Sequence, residues 1–274
     1  MSSKDLHGDR MKYYEELETS RKLMKGLPIY ARLDGHGFSK FTKPFVYPYD
    51  RNLRQVFNEV CTHLIEKFGV KLAYHQSDEI SLLFYREDQY GGVNTDDILF
   101  GGKIQKLASI LAASATSKFI SSALRLMPEH TDHILNNCPE FDCRIFSIPS
   151  LTEAINQFVW RERDCTKNSV SMLARHHFSH KSLQGKNRNQ MLDMLVGAGD
   201  NWNDWNSAFK RGTYLAKRTI EKETLDGVVT RNIVQVLDVP PITRITNKKE
   251  VLIDGLEPVF KDSTGDENES SYAC

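Results

Sequence analysis

Between residues 28 and 148 the apolar stretches of this chain follow one order: strand, helix, hairpin, helix, strand. That order constrains the fold more than any other feature. It is the split βαβ, ferredoxin-like arrangement, an α+β palm in which an antiparallel sheet carries two helices on one face. Residues 28–33 alternate into a strand that ends at Asp34-Gly35, and Asp50 caps a helix that runs to Phe68 and is closed by Gly69. Residues 70–85 form two strands joined at Gln76-Ser77-Asp78-Glu79, residues 101–126 a second long helix, and residues 144–148 a short strand. In such a sheet the end of the first strand lies beside the hairpin turn. Asp34 and Asp78 are therefore expected to meet.

The flanking segments are less regular. A helical pattern covers residues 10–24 and is closed by Gly26 and Pro28. Beyond Ser150 helices are expected over 151–164 and 168–178, with a charged turn or loop over 181–190. A turn into a strand follows at 210–215, which pairs with 227–237. The chain divides accordingly into a palm-like core (1–150), a helical and β extension that completes the same domain (151–260), and a polar, acidic, disordered tail (261–274). With 274 residues and 40% hydrophobic content a real core is available. No apolar run is long enough to span a bilayer, and the first residues lack the apolar stretch of a secretory signal, so a cytoplasmic protein without membrane contact is expected. The five cysteines, Cys61, Cys138, Cys143, Cys165 and Cys274, lack paired spacing and read as reduced thiols rather than zinc ligands.

Strand ends that deliver carboxylates to one edge of a sheet suit a pair of Mg²⁺ ions, which are held by a few carboxylates and by the substrate's own phosphates. Asp34 and Asp78 would bridge the ions, and Gly35 would let its carbonyl approach as a further ligand. The run Gly35-His36-Gly37-Phe38 could turn N–H groups toward phosphates, Ser77 could donate to one, and Glu79 could ligate or orient. Such short motifs are more often an ordinary turn and a solvated hairpin tip. The net charge is zero, but Arg161, Arg163, Lys167, Arg175, Lys181, Lys186 and Arg188 face only Glu162 and Asp164 in their stretch, which leaves room for a local basic face toward a polyanion. His176, His177 and His180 fit a basic surface better than a metal site. Trp202 and Trp205 are expected to be packing anchors, and Asn168 either a phosphate contact or a helix cap.

In order and spacing, these blocks resemble the tRNA(His) guanylyltransferase family and its Thg1-like relatives, enzymes that add nucleotides to RNA 5′ ends. The matching text is Arg32-Leu33-Asp34-Gly35 with Phe38 and Phe41, Tyr49-Asp50, and Gln76-Ser77-Asp78-Glu79 with Ser81 and Phe84. Phe141-Asp142-Cys143-Arg144, Trp160-Arg161, Asp164-Cys165 and, more loosely, Lys210-Arg211-Gly212-Thr213 continue it. The resemblance implies catalysis by Asp34, Asp78 and Glu79, with two Mg²⁺ ions on Asp34, Asp78 and the Gly35 carbonyl. It also implies nucleotide contacts at Gly35, His36, Gly37, Phe38, Ser39, Ser77 and Asn168, and triphosphate or tRNA contacts at Arg32, Lys106, Arg144, Lys167, Lys210 and Arg211. The substrates it implies are ATP, GTP or other nucleoside triphosphates and tRNA, and the assembly a homotetramer. Where tRNA(His) enzymes carry His-Ile-Asn-Asn-Leu-Tyr-Asn, this chain reads Thr166-Lys167-Asn168-Ser169-Val170-Ser171-Met172, and Ser39 replaces a histidine. Those departures favour templated repair of 5′-truncated tRNAs over guanylylation of tRNA(His) alone. A ferredoxin-like RNA-binding protein without catalysis and a nucleotide cyclase on a related palm are the other readings.

Overall fold

The computed structural model describes residues 5–87, 92–93, 98–224 and 227–261. Its strands are β1 (Ile29–His36), β2 (Leu72–Gln76), β3 (Glu79–Phe84), β4 (Glu140–Ser147), β5 (Thr213–Thr224) and β6 (Gly227–Leu237). The helices are α1 (Leu6–Thr19), α2 (Phe38–Phe41), α3 (Arg51–Phe68), α4 (Ile104–Leu126), α5 (Thr131–Asn137), α6 (Leu151–His177), α7 (His180–Leu183), α8 (Arg188–Gly197) and α9 (Ser207–Arg211). One sheet runs in the order β4-β1-β3-β2-β5-β6 with every neighbour antiparallel. The first four of these strands, with α3 and α4 as crossovers, make the ferredoxin-like palm. Strand β5 extends that same sheet by pairing with β2.

Local chemistry accounts for the crossover α3. The Asp50 side chain accepts from the Asn52 and Leu53 N–H groups at 2.8 and 2.9 Å, a cap worth about 1 kcal/mol. Gly69 closes the helix at φ 68°, a left-handed conformation that costs glycine little. One face of α3, from Val56 to Phe68, packs with α4 on the sheet side formed by Ala31, Leu33, Ala73, Ile80 and Leu82. Helix α4 is long and apolar enough by composition to cross a membrane, contrary to the expectation that no such segment exists. Here it is a core helix, packed between α3 and β4.

The sheet is covered on both faces, not on one. Strand alternation puts Tyr30, Leu72, Tyr74, Leu83 and Tyr214 on the second face, against Phe158 of α6 and Ile242 and Leu252 near the C-terminus. Several boundaries also move. The first helix begins and ends earlier than 10–24 and buries no residue. Strand β4 starts at Glu140, four residues before the expected one. The two helices expected over 151–178 are one continuous helix of 27 residues. The expected loop at 181–190 contains most of α7 and the start of α8, whose capping box is formed by Asn187 and Gln190. Of the expected disordered tail, residues 262–274 lie outside the described residues.

Helix α6 is fastened to the C-terminal segment by one buried acid. Glu162 accepts from the Ile242 N–H at 2.9 Å and from the Tyr214 hydroxyl at 3.1 Å. Burial pushes its carboxyl up to about 7, although both hydrogen bonds pull the other way. The protonated form is therefore favoured on folding, so this group's contribution is fully present below pH 4.5 and is lost as pH rises through 7. Between pH 5 and pH 8 the loss amounts to about 2 kcal/mol. Urea unfolding of Glu162→Gln should lack that part of the pH dependence, and Glu162→Ala should be destabilised at both pH values by the two donors it orphans.

Candidate active site

Asp34 lies near the end of β1 and faces Glu79 on β3 and Asp142 on β4 in the sheet register. Strands β2 and β3 are joined by only two residues, Ser77 and Asp78. Ser77 sits at φ 48°, a left-handed conformation that is strained for a residue with a Cβ. The Gly35 N–H donates to the Asp78 carbonyl at 3.0 Å, which fixes the hairpin tip against the end of β1. Among the described residues the return bond, from the Asp78 N–H to the Gly35 carbonyl, is not made. A strand residue's N–H and C=O point to the same side. The Gly35 carbonyl therefore faces the hairpin without that partner.

Gly35 has no room for a side chain. A Cβ there would come within 2.4 Å of the Phe38 ring. That ring is buried against Phe41, Phe57, Phe119 and Phe141, so the loop after β1 is anchored in the core. Gly37 turns the chain at φ 72°, and His36, Gly37 and Ser39 stay exposed around it. Burial raises the Asp78 carboxyl above its ordinary value; hydrogen bonds from its own N–H and Ser77 lower it, and the charge of Asp34 raises it again. Two carboxylates, one of them partly desolvated, and an unreturned carbonyl form a hard-oxygen donor set that fits Mg²⁺. Among the described residues no group of three or more His, Cys, Asp or Glu side chains is placed to hold a metal, so a cation here would depend on substrate phosphates for its remaining ligands.

Glu79 has a different environment. Its Oε1 accepts from Arg161 Nε at 2.6 Å, and its Oε2 lies 3.8 Å from Arg32 Nε. The Arg161 and Arg32 guanidinium groups lie 4.4 and 5.6 Å from the Trp160 ring centroid. Arg161 also donates to Asp164 at 3.0 Å. It is thus buried beside the carboxylates and does not belong to the exposed basic face on which the sequence placed it. A signal existed: Phe158, Arg161, Glu162, Cys165 and Ser169 follow the 3.6-residue period of the buried stripe of α6. Two charged residues on such a stripe imply buried partners.

The other candidates are spread more widely. Arg144 pairs across β1–β4 with Arg32 and lies 3.6 Å from Asp142, in reach of the same sheet edge. Lys106 does not join them. It sits in the first turn of α4, with its ammonium 4.9 Å from the Phe100 ring centroid. The next residue, Leu107, lines a cavity with Ile29 and Phe84, at the ends of β1 and β3 opposite to Asp34 and Glu79. Asn168 lies within α6, where it donates to Asp164 at 3.3 Å, so it is not a helix cap. Lys210 donates to the Asn203 carbonyl at 2.5 Å, and the Arg211 carbonyl accepts from the Tyr74 hydroxyl at 2.7 Å. Arg163, Lys167, Arg175, Lys181, Lys186 and Arg188 are exposed. His177 pairs with Asp200 at 2.7 Å and His176 packs on Tyr47. The tryptophans are anchors: Trp202 donates to Ser169 and Trp205 to Asp200.

Comparison with known proteins agrees with this geometry. Residues 8–149 match the family described as tRNAHis guanylyltransferase. A protein of Acanthamoeba polyphaga mimivirus, described only as uncharacterized, is 32% identical over 69% of this chain and 68% of its own. The tRNA(His) guanylyltransferase of Debaryomyces hansenii is 26% identical over 76% of this chain and 80% of its own. A bacterial tRNA(His) guanylyltransferase-like protein solved with ATP superposes with a TM-score of 0.72 at 33% identity, covering 89% of this chain and 97% of that one. The same kind of protein solved with GTP superposes with a TM-score of 0.66 at 32% identity, covering 87% and 94%. With its palm, its paired aspartates and these matches, the chain belongs to the tRNA(His) guanylyltransferase family and is a nucleotidyltransferase.

Proposed function

We propose that this protein adds nucleotides to the 5′ end of tRNA in the 3′-to-5′ direction, repairing truncated acceptor stems with the opposite strand as template. The observation that carries the reading is the hydrogen bond that brings the Asp78 turn to the Gly35 end of β1, which sets Asp78 near enough to Asp34 for their charges to interact. The bacterial neighbours solved with ATP and with GTP support nucleoside triphosphates as its substrates. Asp34, Asp78 and the Gly35 carbonyl would hold two Mg²⁺ ions. When bound, such ions offset charge on the triphosphate and acidify the attacking hydroxyl.

The reaction comprises two in-line displacements at phosphorus. In the first, an oxygen of the RNA 5′-monophosphate bonds to the α-phosphorus of ATP and the bond to the leaving pyrophosphate breaks. In the second, the 3′-hydroxyl of the incoming nucleotide attacks the activated 5′-phosphorus, loses its proton and expels AMP. Arg32 stands beside Glu79 with no hydrogen bond from its terminal nitrogens among the described residues, so these donors are available to phosphate oxygens. The exposed cations of α6 to α8 would grip the stem through its phosphates, which suits an enzyme that accepts many tRNAs.

The residues that replace the His-Ile-Asn-Asn-Leu-Tyr-Asn run support repair over a tRNA(His)-only activity. Ser169, for example, serves packing, accepting from the Trp202 indole at 3.1 Å. A cytoplasmic homotetramer is the assembly we propose.

The purified protein, given ATP, nucleoside triphosphates, Mg²⁺ and a 5′-labelled tRNA lacking its first nucleotide, should extend it by the templated nucleotide. Asp78→Ala should be slower by roughly a hundred- to a thousandfold. Salt-sensitive binding with neither extension nor an adenylylated intermediate would instead indicate an RNA-binding protein without catalysis. The logarithm of tRNA affinity should fall linearly with the logarithm of salt concentration. Replacing Lys167, Arg175 and Lys181 together by alanine should make that slope shallower by about one for each phosphate that is no longer neutralised.

A further inference from the structure

Arg161 and Glu79 are 7% and 8% exposed, and their ion pair joins α6 to the first residue of β3 across 82 positions of sequence. The guanidinium is fixed from three sides, by Glu79, by Asp164 and by the Trp160 ring. Glu79 in turn has a guanidinium beside each of its oxygens. Yet Glu79 follows Asp78 in sequence and is the register partner of Asp34, so its side chain leaves the sheet on the same face as that of Asp34. Asp142, the partner of Asp34 on the other side, lies 3.6 Å from Arg144, whereas Glu79 released from α6 would be a further carboxylate at the two-aspartate site. A further carboxylate would take coordination positions that the triphosphate oxygens need.

We infer that Arg161 is a positioning residue whose buried ion pair commits Glu79 to α6 and keeps that carboxylate off the divalent cations. This rests on the reading of Asp34 and Asp78 as the metal site. Glu79 then acts through the guanidinium groups it orients, Arg161 inward and Arg32 toward the phosphates. The ion pair is costly to break singly, because each partner would stay buried without its shortest contact, Glu79 left with Arg32 at 3.8 Å and Arg161 with the half-exposed Asp164. Replacing both partners together avoids that cost and leaves the net charge unchanged.

The test uses the full chain and Mn²⁺ as the probe, with free Mn²⁺ read by its EPR signal and folding checked by circular dichroism. Glu79→Gln with Arg161→Gln should bind Mn²⁺ within about threefold of the unaltered protein, whereas Asp78→Asn should lose about tenfold or more. A folded double variant that loses as much as Asp78→Asn overturns the inference, since Glu79 would then be a ligand. If Asp78→Asn binds as well as the unaltered protein, the metal site itself fails and the inference falls with it. Should the double variant not fold, the anomalous map of a crystal of the unaltered protein soaked in Mn²⁺ decides the same point. Glu79 oxygens still on Arg161 sustain the inference, and a Glu79 oxygen at a metal–ligand distance of about 2.1 Å overturns it.

Discussion

The β1–β3 register and the hydrogen bond that closes it, Gly35 N–H to the Asp78 carbonyl, set the terms for everything else at the site. Side chains alternate along a strand, so a slip of one residue would send Asp34 to the face occupied by Leu33 and remove it from Asp78. The slip is resisted on both sides of the sheet. Ala31 and Leu33 are fully buried against the α3–α4 layer, and Tyr30 is packed on Phe158 of α6. The loop after β1 is tied down separately, by the Phe38 ring that lies where a Gly35 side chain would be. The relative position of Asp34 and Asp78 is thus fixed by the apolar core on which β1 and β3 are packed.

Helix α6 does two jobs with adjacent residues. Arg161 reaches the β1–β3 edge through Glu79, and Glu162 reaches β5 and the segment at Ile242. Between them they connect the palm strands to the part of the chain that follows them. Both residues interrupt an apolar stripe and both are hydrogen-bonded, Arg161 as a charged partner of Glu79 and Glu162 as an acid whose protonated form burial favours. Arg163, Lys167 and Arg175 of the same helix are exposed, so α6 carries a buried ion pair as well as outward basic residues.

Much of this was legible in the sequence, for physical reasons that differ by element. The core helix α3 announced itself by an acidic cap, an apolar period and a closing glycine, all local signals. Asp34 and Asp78 were legible because each ends an apolar run, and strand order alone brings such ends together. Arg161 was misplaced because its partner lies 82 residues away, and nothing local separates a buried arginine from a surface one except its position on the stripe. Lys106 was placed by similarity of spacing, but the strand order sets the start of α4 at the far end of the sheet. The continuity of α6 was hidden by its polar residues between 164 and 168, which interrupt the pattern without breaking the backbone. The cover on the second face depends on contacts of α6 and of the segment from Ile242 to Ile253 with β1, β2 and β3, which no local pattern records.

The measurement closest to the centre of this account is a count of divalent cations per chain in the presence of an unreactive nucleoside triphosphate analogue. Mn²⁺ can be counted directly, in the unaltered protein and in Asp34→Asn. Two ions per chain are expected in the first and at most one in the second, because one shared carboxylate has been removed. Two ions per chain in both would contradict the account, since the triphosphate and its metals would then be held somewhere other than the β1 end and the Asp78 turn.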